Sequence, residues 1–370
     1  MIKYMFYFLL GIILLLTLPL WGVKLASVGD IAYYLHFPPR TGSVEHLAFH
    51  PCFFWGLSAF VVLALFPFIY RAFYPERSNC ATRRERKAFF PWWGYLGVAT
   101  GAFAWTMAWS RFSWHLLLQL SAFPLLWLSY ILLVNALTYR RKGGCLLRDR
   151  PIYLGVLFPV SAVFWWFFEY LNRFVQNWYY INTQTFSSLE YIIYATVCFS
   201  TVLPAVLSSG ELLQSFSFFQ RAYGNFFKIN PVRPKILAFI LLLLAGAGLF
   251  CMGIYPNYLF PLLWISPLII IVSLQTLGGE KHLFSSLTQG DWSRIVSMAL
   301  AALLCGFFWE MWNFYSLFKW EYSLPFVHRY QIFEMPILGY AGYLPFGLEC
   351  AVIGDIVLRF FSVPSLLLKL

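Results

Sequence analysis

The chain has 370 residues, of which 61% are hydrophobic and 11% charged, with a formal net charge of +11. Soluble domains carry roughly a quarter charged residues, so this composition excludes an ordinary water-soluble fold and points to a helical integral membrane protein. The positive balance does not imply nucleic acid, because the basic residues fall in loops between apolar runs, where the positive-inside bias accounts for them.

Taken in order, the apolar runs predict ten spans, at about 4–22, 51–70, 91–110, 114–138, 151–173, 188–210, 235–254, 258–277, 294–315 and 333–357. Runs of this length favour helices over barrel strands, which would need only about 10 alternating residues. The first run follows Lys3, has no A-x-A-like site after it and reaches Leu20, which is long for a signal-peptide core. It is expected to stay as an anchor. With the N-terminus inside, the loops at 71–90, 139–150, 211–234 and 278–293 and the C-terminus share the cytoplasmic side, which collects 20 of the 26 lysines and arginines. Lys24, Arg40, Arg111, Arg173, Lys319 and Arg329 fall on the other side. The expectation is a multi-pass protein of the cell membrane with both termini cytoplasmic.

An internal duplication is also expected. Phe123-Pro124-Leu125-Leu126-Trp127 recurs as Phe260-Pro261-Leu262-Leu263-Trp264, and Glu169 and Asn172 recur 141 positions later as Glu310 and Asn313. Trp178 and Trp320 follow, then Glu190 and Glu334, then Pro204 and Pro345, in the same order. The division is two N-terminal spans in 1–90, a first four-span repeat in 91–210 and a second in 235–357. Four is even, so the repeats enter the membrane in the same sense and are parallel, with a shared site between them. Proline in the spans at 188–210 and 333–357, joined in the second by Gly339, Gly342 and Gly347, predicts broken or partly re-entrant helices there.

The chemistry-bearing residues lie toward the outer ends of these spans. Glu169 with Asn172, and Glu310 with Asn313, are three apart and so share a helix face. Trp309, Trp312, Trp320 and Trp178 surround them, and Glu190 and Glu334 open the following spans. A carboxylate in lipid is costly, so it turns inward, finds a partner or stays protonated. Ring faces beside it would stabilise a cation. An acid in an aromatic wall is what protonating a carbon–carbon double bond, or holding an ammonium group, requires. The bland alternative is that the Glu–Asn pairs cap helix ends or join spans, and that Trp and Tyr gather at the membrane interface.

The pattern Trp309-Glu310, Trp320-Glu321-Tyr322 and Glu334-Met335-Pro336, echoed by Glu169, Trp178-Tyr179-Tyr180 and Glu190, resembles the polytopic lycopene cyclase domain, which also occurs as a tandem pair. The resemblance covers about 50 residues per unit. It departs where the family has a doubled acid after proline and this chain has Glu334 alone before Pro336. It implies that Glu310 and Glu334 act as acids on a polyene.

Elsewhere the signals are weaker. His46 and His50, four apart beside Glu45, would meet on a helix, but no third metal ligand is fixed by the sequence. Arg40, Arg111, Arg173 and Arg329 share the outer face, where Arg40 is a candidate for holding a phosphate headgroup. The seven cysteines stand singly, without CxxC, and no P-loop, GxSxG, HExxH or paired-aspartate motif is present. No metal or cofactor is expected. The expected function is an enzyme acting on a lipid or isoprenoid, a hydrophobic small molecule, by acid catalysis or cation stabilisation. The alternatives are a transporter or lipid-moving protein and a noncatalytic membrane partner.

Overall fold

Proline sets where several of the helices begin. Its fixed φ suits the first helical turn, where its missing N–H has no partner to lose, and the helices opening at Pro51, Pro151, Pro234 and Pro256 all use it in this way. The computed structural model of the chain describes residues 2–27, 29–75, 88–110 and 116–360. Arg77, Cys80, Arg83, Arg84, Arg86, Lys87, Arg111, His115 and Lys369 lie outside the described residues.

The helices are α1 (Ile2–Ala26), α2 (Ile31–Leu35), α3 (Pro51–Phe73), α4 (Trp92–Trp109), α5 (Leu116–Lys142), α6 (Leu146–Asp149) and α7 (Pro151–Val175) in the first half. They continue as α8 (Ser188–Phe199), α9 (Val202–Gln214), α10 (Ser217–Tyr223), α11 (Pro234–Met252), α12 (Pro256–Leu259), α13 (Ser266–Gly278), α14 (Ser293–Phe314) and α15 (Tyr343–Phe360). Sheet is confined to two short antiparallel ladders. One pairs β1 (Trp178–Ile181) with β2 (Lys319–Tyr322), the other β3 (Gln331–Ile332) with β4 (Met335–Pro336). The chain is an all-α polytopic membrane protein.

Among the described residues, eight helical segments are long and apolar enough to cross a membrane, and a bent pair makes a ninth. The sequence predicts ten. The difference is α4, which forms where expected but whose four tryptophans and three glycines in 18 residues leave it less apolar than its neighbours. The predicted interruptions are also redistributed. The chain does break between α8 and α9, ahead of Pro204, and a 3-10 turn at Ile337–Gly342 precedes α15. The sharpest bend, 51°, lies instead between Pro256–Trp264 and α13, where Pro256, Pro261 and Pro267 follow in quick succession.

The core sits where α9, α14 and α15 cross. Val202–Gly210 of α9 is buried at every position. Close approach there needs small residues: a Cβ on Gly347 of α15 would fall 2.2 Å from the Met298 carbonyl of α14, so any larger residue would push the two helices apart. At the basic end of the bundle Arg294 grips Asp355 through two parallel bonds of 2.9 and 2.7 Å, with both side chains nearly fully buried. Lys142 with Glu211, and Arg359 with Glu280, close the same end.

The loop after α13 carries a pH-sensitive cap. His282 Nδ1 accepts from the Phe284 N–H (3.3 Å), and Nε2 lies 3.0 Å from Thr276 Oγ1. Burial, and then the nearby Arg359 charge, hold its pKa down to about 4 against an ordinary 6.5. A depressed folded-state pKa means that the unfolded loop binds the proton first. Stability contributed here is therefore complete above pH 6.5 and is lost as pH falls toward 4. Amide exchange of Leu283–Gln289 is expected to quicken progressively between those values, and a His282→Asn variant should show a flatter profile.

Candidate functional site

α7 and α14 end in the same device. Asn172 Oδ1 accepts from the main-chain N–H of Asn177 (2.8 Å) and Trp178 (3.4 Å), while its Nδ2 donates to Trp178 O (2.8 Å). Asn313 Oδ1 accepts from Trp320 N–H (2.9 Å) and its Nδ2 donates to Trp320 O (2.7 Å). Each carboxamide grips the peptide of a tryptophan and fixes where the chain leaves the helix to form β1 or β2. The two strands then pair antiparallel, Trp178 opposite Tyr322 and Tyr180 opposite Trp320, around a central pair in which Tyr179 donates to Glu321 (2.9 Å). Asn313→Ala deletes both bonds to Trp320. Unpaired buried groups cost about 1–3 kcal/mol each, so its unfolding midpoint in detergent should drop clearly, and Asn313→Asp, which turns the donor to Trp320 O into a second acceptor, should not restore it.

One turn before each asparagine lies a glutamate with no exposed surface. Glu169 Oε1 accepts three bonds, from Trp165 Nε1 (3.0 Å), Trp178 Nε1 (3.0 Å) and Tyr180 OH (2.6 Å). Glu310 Oε1 accepts from Tyr322 OH and Tyr343 OH, both at 2.7 Å, and Trp320 Nε1 donates to Tyr322 OH (2.7 Å). In each case the second oxygen, Oε2, is buried without a hydrogen-bond partner among the described residues. One donor of each set differs for a steric reason. Four residues before Glu169 stands Trp165; four before Glu310 stands Gly306, where a Cβ would lie 2.4 Å from the Tyr343 ring. The glycine opens a slot that Tyr343 fills from α15, so a phenol replaces an indole.

These donors face a common space. A cavity of about 550 Å³ is lined by Trp165, Trp178 and Tyr180 on one side and Trp320, Tyr322 and Tyr343 on the other, with Trp264 and Trp309 between them. No Asp, Glu, Lys, Arg or His is among its lining residues. The carboxyl groups stand immediately behind the aromatic wall, touching it through hydrogen bonds rather than lining the void themselves.

The other predicted residues are placed differently. Glu190 is exposed and forms a capping box at the start of α8, accepting from Ser187 N–H and Oγ (both 2.8 Å). Glu334 pairs with Lys319, which also lies 3.5 Å from Glu321. Arg40 donates to the carbonyls of Phe186 (3.0 Å) and Ser187 (2.9 Å) and stacks over Tyr191 at 4.5 Å, which fastens the segment between α2 and α3 to the start of α8. Trp309 lines the cavity, whereas Trp312 packs away from it against Trp127 and Trp105. His46 and His50 do not meet on a helix: the chain there is extended, His46 bonds Asn257 and the Gln176 carbonyl, and His50 caps α3. No group of three His, Cys, Asp or Glu side chains that could hold a metal occurs among the described residues.

Tyr343 was not marked by the sequence as a partner of Glu310, since 33 residues separate them. The only trace is Gly306, one helical turn before the acid. Compared with family models, with curated proteins and with solved structures, the chain matches none.

Proposed function

We propose that this membrane protein is an enzyme acting on an isoprenoid or other unsaturated lipid chain held in the aromatic cavity, with Glu310 as the acid and its phenol partners as the proton-conducting contacts. The observation that carries the reading is the pair of fully buried carboxyl groups whose hydrogen-bond donors line one uncharged, ring-walled space. A proton delivered to one carbon of a double bond leaves a cation that ring faces stabilise. Loss of a proton from another carbon then completes an isomerisation or ring closure, with no oxidant or reductant consumed. Tyr322 and Tyr343 reach Glu310 from the cavity side, and phenolic hydroxyls can pass a proton. Two of the three donors on Glu169 are indole N–H groups, which donate a hydrogen bond and keep the proton. Glu310 is therefore the acting acid and Glu169 its supporting counterpart.

The reading includes two tandem units. Its support is the repeated carboxamide grip, the repeated buried acid, and a ladder that keeps its register when β1 and β2 exchange places. It also keeps the resemblance to the tandem lycopene cyclase domain as the nearest chemical analogy, now with Glu310 rather than Glu334 at the centre. The reading also keeps a cell-membrane location with both termini cytoplasmic, supported by the basic residues gathered in alternate loops. An ion-coupled transporter is less well supported, because an ion pathway calls for charged or strongly polar lining.

The test is incubation of the purified protein with a cellular isoprenoid and lipid extract in heavy water. Products carrying one carbon-bound deuterium are expected by mass spectrometry. If no such product forms, the acid-catalysis reading fails.

A further inference from the structure

α3 is held at its two ends. At one, Arg71 donates to the carbonyls of Ala222 (2.9 Å) and Asn225 (2.6 Å), and Tyr223 OH donates to Phe68 O (2.9 Å). At the other, His50 N–H donates to Phe326 O (2.9 Å), and the Phe53 and Phe54 rings lie 4.8 and 5.4 Å from those of Phe326 and Tyr330. Phe54 and Arg71, one near each end, are its only buried residues. Between them Leu63 is 72% and Phe66 60% exposed.

The opposite face of this stretch does not pack solidly either. Leu57, Val61, Ala64 and Leu65 line the same cavity as Trp178 and Tyr322, as do Leu120 and Phe123 of α5. Phe60 belongs to both sides: it lines the cavity and is 67% exposed. It therefore stands at a mouth where the cavity meets the bilayer.

We propose that the gap behind α3 is a lateral portal and slot for one long hydrocarbon chain of a bilayer-resident lipid, taken from the leaflet at the Pro51 end. Leu57 and Leu65 lie six and fourteen residues into the helix, about 9 and 21 Å at ~1.5 Å per residue. The slot thus starts within that leaflet and crosses the midplane of a hydrocarbon core ~30 Å thick. Its uncharged lining would strip water from a polar solute without replacing it, whereas a hydrocarbon chain loses nothing on moving from the bilayer. The ladder of β1 and β2 closes the cavity at the same end, since Thr41, in the segment leading to α3, bonds Trp178 O (2.8 Å). The sideways route therefore leads to the phenols on Glu310. This assignment deepens the proposed function by making the substrate a membrane lipid, and rests on the cavity being a ligand site.

The test is photolabelling in nanodiscs made from phosphatidylcholine with a diazirine in one acyl chain, followed by peptide mapping. Label is expected on Trp264, Trp309 and Tyr343 inside the cavity, as well as on the outer face of α3 at Leu63. Ala64→Trp, which fills the slot, should reduce the interior label at least fivefold and leave Leu63 labelled; Leu57→Trp serves if Ala64→Trp does not fold. Interior residues that stay unlabelled in the native chain, or that label equally in the folded tryptophan variant, would overturn the portal. Glu310→Gln should label like the native chain; a native chain with a labelled interior and no deuterated product would leave the portal standing and remove the enzyme.

Discussion

Glu310→Gln is expected to lower the rate of deuterated product formation at least about a hundredfold, the usual scale for losing a positioned general acid, with membrane insertion intact. Glutamine keeps the shape and the Oε1 acceptor for Tyr322 and Tyr343, so the aromatic wall should stay in place while the dissociable proton is lost. Glu169→Gln provides the contrast. Its acceptor oxygen is held mainly by indoles, and its loss should slow the reaction far less. Tyr343→Phe should fall between them, since Tyr322 remains as a second phenol on the acid. Equal rates for Glu310→Gln and the native chain would exclude Glu310 as the proton donor, whatever the substrate.

The second large effect concerns stability. Arg294 and Asp355 tie the first turn of α14 to the end of α15 while almost fully buried. Removing one charge strands the other in a place with little water, a loss of about 3–5 kcal/mol in comparable buried pairs. Arg294→Met should therefore unfold at a much lower temperature in detergent or fail to accumulate in the membrane. Arg294→Met combined with Asp355→Leu should recover most of the loss, because two apolar groups leave nothing unpaired. If the double variant is as unstable as the single one, the pair has a role beyond mutual neutralisation.

Much of this architecture was readable in advance because lipid leaves few choices. A backbone in hydrocarbon must satisfy itself locally, so apolar runs of the right length become helices, and a buried acid beside a carboxamide at helical spacing must face inward. Glu169, Asn172, Glu310 and Asn313 were found on those grounds, and all four are fully buried. What stayed hidden depends on distant partners. The carboxamides could be placed on a face, but not their grip on the Trp178 and Trp320 peptides, which requires the chain to turn back sharply after each helix. Tyr343 reaches Glu310 only because Gly306 leaves room, and a glycine in a membrane helix has many other uses. Glu190 stands apart from the buried acids: Ser187-x-x-Glu190 is a capping-box signature, and in the fold the carboxylate caps α8. Glu334 likewise sits near the acids in order along the chain but is neutralised by Lys319.

The central rung of the β1–β2 ladder also governs assembly. Were two β2 strands from separate molecules to meet in this register, Glu321 would face Glu321, and like charges directly opposite repel. Two β1 strands would set Tyr179 against Tyr179 and forfeit the phenol-to-carboxylate bond. Only the mixed pairing satisfies both residues, so the rung acts as a key that favours β1 against β2 and discourages like-with-like pairing of these strands between molecules.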